Sequence, residues 1–233
     1  MKPIIDHNTI KKIFYGIGAL GGINLIIFIH EMGHFLCAKM FNVSAISFSL
    51  GFGPALYELS IGKTIFRLSL LPLGGYVELD PQVLARLTYL PHMLILLSGI
   101  LFNLIFAYII LIYYKVHHQL SSIINSITPP DHATSSRFIG PIGIIVLIGK
   151  SLATSTQSYW FILAILSLNV GLFNILPLPF FDGGKALILT IETITGTPIP
   201  GSLLWVISTI IFALFIALIA RITAHDFKQL LQK

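Results

Sequence analysis

The stretch IFYGIGALGGINLIIFIHEMGH, residues 13–34, decides how the rest of the chain is read. From Ile13 to Ile29 it is apolar, interrupted only by glycines and by Asn24, and it ends in His30-Glu31-Met32-Gly33-His34. About 20 apolar residues in a helix reach across a hydrocarbon layer of about 30 Å. Ionisable groups are expensive there, and those that remain point to function. The H-E-x-x-H spacing gives a chemical reason to keep them. Residues four apart on a helix share a face. His30 and His34 can therefore turn two ring nitrogens toward one Zn2+, at about 2.0–2.1 Å each. Glu31 lies about 100° round the helix from His30. There its carboxylate can take a proton from water that zinc makes acidic, with a pKa of about 7.

The composition agrees with a membrane setting. The chain has 233 residues, of which 55% are hydrophobic and only 10% charged, and its mean hydropathy is +0.90. Soluble domains carry about 25% charged residues. The expected fold is an α-helical polytopic membrane protein, a single domain over 1–233. It has about four spans, at roughly 13–34, 92–114, 159–181 and 202–221, with a small membrane-associated β-hairpin between the first and second. Lys11-Lys12 before the first span could suggest a signal peptide, but the run continues into the histidine motif with no small-residue cleavage site. The net charge of +5 fits contact with anionic lipid headgroups rather than nucleic acid, since no basic stripe interleaves with aromatics. Four basic residues in 35–91 against three in 115–158 leave the orientation undecided. The single cysteine, Cys37, cannot form an internal disulfide and reads as a packing residue.

Between the first two spans the pattern changes from helix to strand. Gly51-Phe52-Gly53-Pro54 reads as a turn cluster. Residues 65–70 alternate, with Phe66, Leu68 and Leu70 on one face and Arg67 and Ser69 on the other. Pro72-Leu73-Gly74-Gly75 then turns the chain, and Tyr76-Val77-Glu78-Leu79 returns as the partner strand. Such a hairpin is either a sheet edge able to receive an extended peptide or a loop that caps the helices. Residues 115–137, with His117-His118, read as an exposed loop, and a short apolar piece follows from Gly140 to Leu152.

A second constellation closes the third span: Asn174-Ile175-Leu176-Pro177-Leu178-Pro179-Phe180-Phe181-Asp182-Gly183-Gly184. Two prolines break the helix, and broken backbone at membrane depth is tolerated where it lines a wet cavity. Asp182 there needs a cation, and a two-histidine zinc site needs a third ligand. With four spans, the C-terminal ends of spans one and three reach the same side of the bilayer. Asp182 is therefore the preferred third ligand. Glu192, in an expected loop, is its rival, and His92 is a further neighbour.

These motifs together resemble the site-2 protease family of intramembrane zinc metallopeptidases, peptidase family M50, in its regulator-of-sigma-E-protease-like branch. Gly51-Phe52-Gly53-Pro54, Leu73-Gly74-Gly75-Tyr76-Val77, Ser98-Gly99, Asn103 and Gly140-Pro141-Ile142-Gly143 add to the two outer motifs. The resemblance implies one Zn2+ held by His30, His34 and Asp182, with Glu31 as general base. It implies that Asn174, Pro177 and Pro179 help hold the substrate near the metal. It also implies that the hairpin, with Leu68, Leu70, Gly74, Gly75 and Tyr76, pairs with an unwound substrate. The expected substrates are single-pass membrane proteins or signal peptides, and the expected location is a bacterial inner membrane with the active site toward the cytoplasm. Only about 45 residues separate the second and third spans, so the PDZ domains common in that branch are not expected between them. Phe181 stands where the family usually has leucine. Two other classes use the same residues: a membrane metal-ion transporter and a non-catalytic scaffold derived from a protease.

Overall fold

The computed structural model describes residues 7–116 and 141–231. The elements, in chain order, are α1 (His7–Met40), β1 (Ala45–Ile61), β2 (Thr64–Leu79), α2 (Pro81–Leu84), α3 (Tyr89–Val116), α4 (Pro141–Thr154), α5 (Thr156–Asn174), α6 (Asp182–Thr195) and α7 (Gly201–Leu231). Four helices are long and apolar enough to cross a membrane: Thr9–Met40, Tyr89–Lys115, Thr156–Asn174 and Gly201–Ala224. The expected class, a multi-pass helical protein with a small sheet after the first span, is the observed one. His117-His118 lie outside the described residues.

Two compact units can be distinguished. Among the described residues, one comprises residues 7–22, 108–116, 141–165 and 213–231. In it the Tyr159 hydroxyl donates to the Gly18 carbonyl at 2.9 Å, and Gly22 lies against Leu163 and Tyr159 with no room for a side chain. The other comprises residues 23–107 and 166–212 and carries the sheet and both motifs.

The sheet departs from the expected register. β1 and β2 are long antiparallel strands joined at Gly62-Lys63, with Ile61 opposite Thr64 and Tyr57 opposite Leu68. Residues 76–79 do not return beside 65–70. They pair with the start of β1, Glu78 opposite Ser47 and Tyr76 opposite Ser49. Residues 47–50 thus have partners on both sides, since Ser47 also faces Ile65 and Leu50 faces Leu68. Gly51-Phe52-Gly53-Pro54 is not a hairpin turn but a kink within β1, where Gly51 (φ 89) and Gly53 (φ 87) adopt backbone angles that side-chain-bearing residues avoid. The resulting register shifts also change which face points inward. Phe66 packs into the core, whereas Leu68 and Leu70 are 50% and 52% exposed and Ser69 is buried.

Aromatic packing fastens the sheet to α1. Phe48 is buried with Phe35 and Ala45, and Phe28, Met32, Leu50, Phe66, Val77 and Leu79 pack round them. The Phe48 ring lies 5.8 Å from Phe28, 5.7 Å from Phe35 and 5.7 Å from Phe66, centre to centre. Asn24, the polar interruption in the first apolar run, donates its amide to the Pro72 carbonyl at 2.9 Å. That bond ties the chain just before Gly74 to the same helix.

The third span ends sooner than its composition suggests. α5 stops at Asn174, because Pro177 and Pro179 lack the N–H that would continue the ladder and restrict the residues before them. Asp182 accordingly opens a separate helix, with Phe181 as N-cap, rather than closing the span. Glu192 is helical too, not in a loop, and its carboxylate accepts from the Ile199 N–H at 2.8 Å beyond the helix end.

Candidate metal centre

α1 sets His30 and His34 one turn apart, and the first residue of α6 meets them. His30 Nε2 lies 2.9 Å from Asp182 Oδ2, His34 Nε2 lies 3.1 Å from the same oxygen, and the two Nε2 atoms are 3.3 Å apart. Among the described residues these three form the group able to share one metal ion, each offering one atom within 4.8 Å of the others. His30 and Asp182 are 8% and 5% exposed. Glu192, His92 and Cys37 are not part of the group.

The arrangement suits a cation better than a hydrogen-bonded trio. The His34 Nδ1 faces the Ile95 carbonyl at 2.8 Å. A carbonyl only accepts, so hydrogen sits on Nδ1, and in the neutral ring Nε2 is left with a lone pair that a cation can take. Two imidazoles and a carboxylate, one atom each, are a donor set that zinc prefers, with a position left for a further ligand. The positive N-terminal end of α6 also favours a carboxylate at its first residue.

Glycines bring the backbones close enough for this. A Cβ at Gly33 would lie 2.9 Å from the Ser98 carbonyl carbon and 3.0 Å from the Gly99 Cα, so α1 and α3 meet backbone to backbone. A Cβ at Gly99 would lie 2.8 Å from His30 Cε1 and 2.9 Å from its Nε2. In the first turn of α6, a Cβ at Gly183 would meet the Ile175 backbone and one at Gly184 the Leu178–Pro179 backbone. The Pro177–Pro179 loop is thereby pressed against the turn that carries Asp182.

The remaining predicted residues fall into two sets. Glu31 is half-buried on α1 beside the end of the sheet, where a Cβ on Gly75 would lie 3.3 Å from Glu31 Cγ and 3.0 Å from Ile27 Cγ2. Gly74 backs onto the Phe52 ring. Tyr76 lines a shallow cleft with Phe52, Glu58 and Arg67. Its hydroxyl and the Glu58 carboxylate both hold the Arg67 guanidinium charged above its usual range. Leu68 and Leu70 are exposed on the sheet, away from the aromatic cluster. Asn174 donates its amide to the Val170 carbonyl at 2.9 Å. Pro177 is exposed and Pro179 half-buried.

Sequence reasoning assigned no role to Ile95, Gly99, Asn103 or Lys185. Lys185 Nζ reaches Asp182 Oδ1 at 3.3 Å from a half-exposed position, one helical turn on. Asn103 Nδ2 lies 3.3 Å from His30 Nδ1. Gly99 and Asn103 stand only among the motifs of the family resemblance, without a role, and Lys185 shows only as a lysine three residues after an aspartate.

In this multi-pass membrane protein two histidines from one helix and an aspartate from another converge on a shared point, a grouping that could hold a metal ion. The model of peptidase family M50 matches residues 18–218, and the chain belongs to that family. Similar proteins carry the name "Putative zinc metalloprotease". That of Borreliella burgdorferi is 38% identical over 109 residues, 39% of this chain and 25% of the relative. That of Treponema pallidum is 48% identical over 65 residues, 28% of this chain and 14% of the relative. The chain thus matches about a quarter or less of the length of these relatives.

Proposed function

We propose that this chain is an intramembrane zinc endopeptidase that cleaves membrane-spanning segments of other proteins, including signal peptides. The observation that carries the reading is the convergence of His30 Nε2, His34 Nε2 and Asp182 Oδ2 within 4.8 Å. In this reading these three residues hold the metal. Zn2+ bound there supplies Lewis acidity, polarising a scissile carbonyl and making water acidic enough to attack near neutral pH. Glu31 takes the proton of the attacking water and returns it to the departing amine nitrogen. A helical substrate must first unwind, because its carbonyls are engaged in the helix ladder. The segment Gly74-Gly75-Tyr76 then receives the unwound stretch as an added strand beside Glu31. Asn174, Pro177 and Pro179 support the substrate from the other side, and Leu68 and Leu70 offer it apolar contact. The site faces the cytoplasmic side of a bacterial inner membrane.

Two substitutions test the reading in purified protein with a single-pass model substrate. Glu31→Gln is expected to keep zinc and to lower cleavage about 10²–10⁴-fold. Undiminished cleavage removes Glu31 as the base. Asp182→Asn is expected to lose zinc, and unchanged metal content removes Asp182 from the ligand set. A chelator arm separates the remaining classes. A transporter moves metal without producing fragments, and a scaffold produces none with or without zinc.

A further inference from the structure

We infer that Asn103 is a positioning residue for His30, its side-chain amide holding the imidazole in the tautomer that a metal requires; the inference rests on the metal-site reading above. Asn103 lies on α3 one turn beyond Gly99 and is completely buried. Its main-chain carbonyl accepts from the Ser167 hydroxyl at 3.1 Å, and its Cβ is packed against Gly171, where an added Cβ would lie 3.5 Å away. The side chain is therefore fixed in place, but only half of its amide is used. Nδ2 sits 3.3 Å from His30 Nδ1, while Oδ1 is buried with no partner among the described residues. A buried amide oxygen left unpaired is rare enough to call for a cause.

The cause lies on the imidazole. For His30 Nε2 to give its lone pair to a cation, the hydrogen must sit on Nδ1, and that N–H needs an acceptor. The neighbouring His34 has one in the Ile95 carbonyl at 2.8 Å. For His30 the corresponding group is Asn103. A half turn of the amide exchanges Oδ1 and Nδ2 at nearly the same positions. With Nδ2 forward, the amide donates to the tautomer whose Nε2–H points at Asp182 Oδ2, 2.9 Å away. With Oδ1 forward, it accepts from the ligating tautomer. One side chain thus holds the ring orientation in both, which a fixed backbone carbonyl cannot do. The unpaired Oδ1 is the acceptor held in reserve.

The test measures zinc affinity in detergent-purified protein by competition with a chromogenic chelator, and the visible spectrum of the Co2+-loaded form, with thermal unfolding as a fold control. Asn103→Leu removes both donor and acceptor and is expected to weaken zinc binding about 10–100-fold. Asn103→Asp keeps an acceptor and is expected to stay within a few-fold of wild type with the Co2+ spectrum preserved. A role in packing alone gives the reverse order, because leucine suits an apolar interior better than a carboxylate does. Wild-type affinity in Asn103→Leu, or weaker binding in a folded Asn103→Asp than in Asn103→Leu, overturns the inference. Should the leucine variant not fold, loss of zinc binding by a folded aspartate variant overturns it alone. Wild-type protein that binds zinc no better than His34→Ala overturns the metal-site reading and this inference with it. Tight wild-type binding with indifferent Asn103 variants overturns this inference only.

Discussion

Gly99 lies where any side chain would press on both imidazoles. An added methyl would lie within 3 Å of His30 Cε1 and Nε2, and His34 crowds the same spot, so neither ring can retreat without losing its partner. Gly99→Ala is therefore expected to fold, since alanine favours the helix over glycine, but to lose zinc affinity by about tenfold or more, as disturbed ligand orientation does elsewhere. Equilibrium dialysis against buffered zinc checks it, and unaltered affinity would show that the rings have slack. Gly75 poses a different constraint. A methyl there meets the Ser49 carbonyl at 2.8 Å and the side chains of Ile27 and Glu31. Gly75→Ala is expected to lower cleavage while leaving metal content intact, since it lies against Glu31, the proposed base, and not against His30, His34 or Asp182. Fragment yield and zinc content measured on the same preparation separate the two effects.

At the scale of elements, Phe48 couples sheet to helix. It is buried among the rings of Phe28, Phe35 and Phe66, and truncating a phenylalanine in such a setting costs about 3–5 kcal/mol. Phe48→Ala is expected to lower the unfolding midpoint clearly, whereas Leu70→Ala, at an exposed position, is expected to leave it nearly unchanged. Thermal melts in one detergent compare them. The helices were legible in the sequence because a span announces itself by length and hydropathy, and the histidine pair because one helix carries both of its members. The strand partners were not. Period-two alternation within 65–70 says nothing about which segment lies opposite, and the kinks at Gly51 and Gly53 change the phase of the pattern partway along. Asp182 was identified as a candidate but set on the wrong element, since the proline break consumes Ile175–Phe181 before a new helix starts. Ile95 carries no signal of its own, and Gly99 and Asn103 stand out only as motif matches without a role, for a simpler reason. Their part is played across the α1–α3 contact, and no spacing within one helix encodes it.

At the scale of the whole molecule, the number of crossings fixes which ends share a side. The four candidate helices among the described residues give an even count. α4, with 14 residues, extends about 21 Å and falls short of a hydrocarbon layer of about 30 Å. Reporters fused before Thr9 and after Ala224 are therefore expected on the same side of the membrane, and one inserted at the Gly62-Lys63 turn on the other. Alkaline phosphatase and green fluorescent protein fusions read this directly. Opposite signs at the two fusion points would mean that a further segment crosses. The position of the histidines along α1 then carries its own consequence. His34 is six residues and His30 ten residues from Met40, about 9 Å and about 15 Å along the axis. Met40 itself is exposed at the end of α1; under the proposed reading each hydrolysis consumes one molecule of solvent at the depth of the histidines, so turnover would be governed by how readily the protein lets itself be wetted from one face.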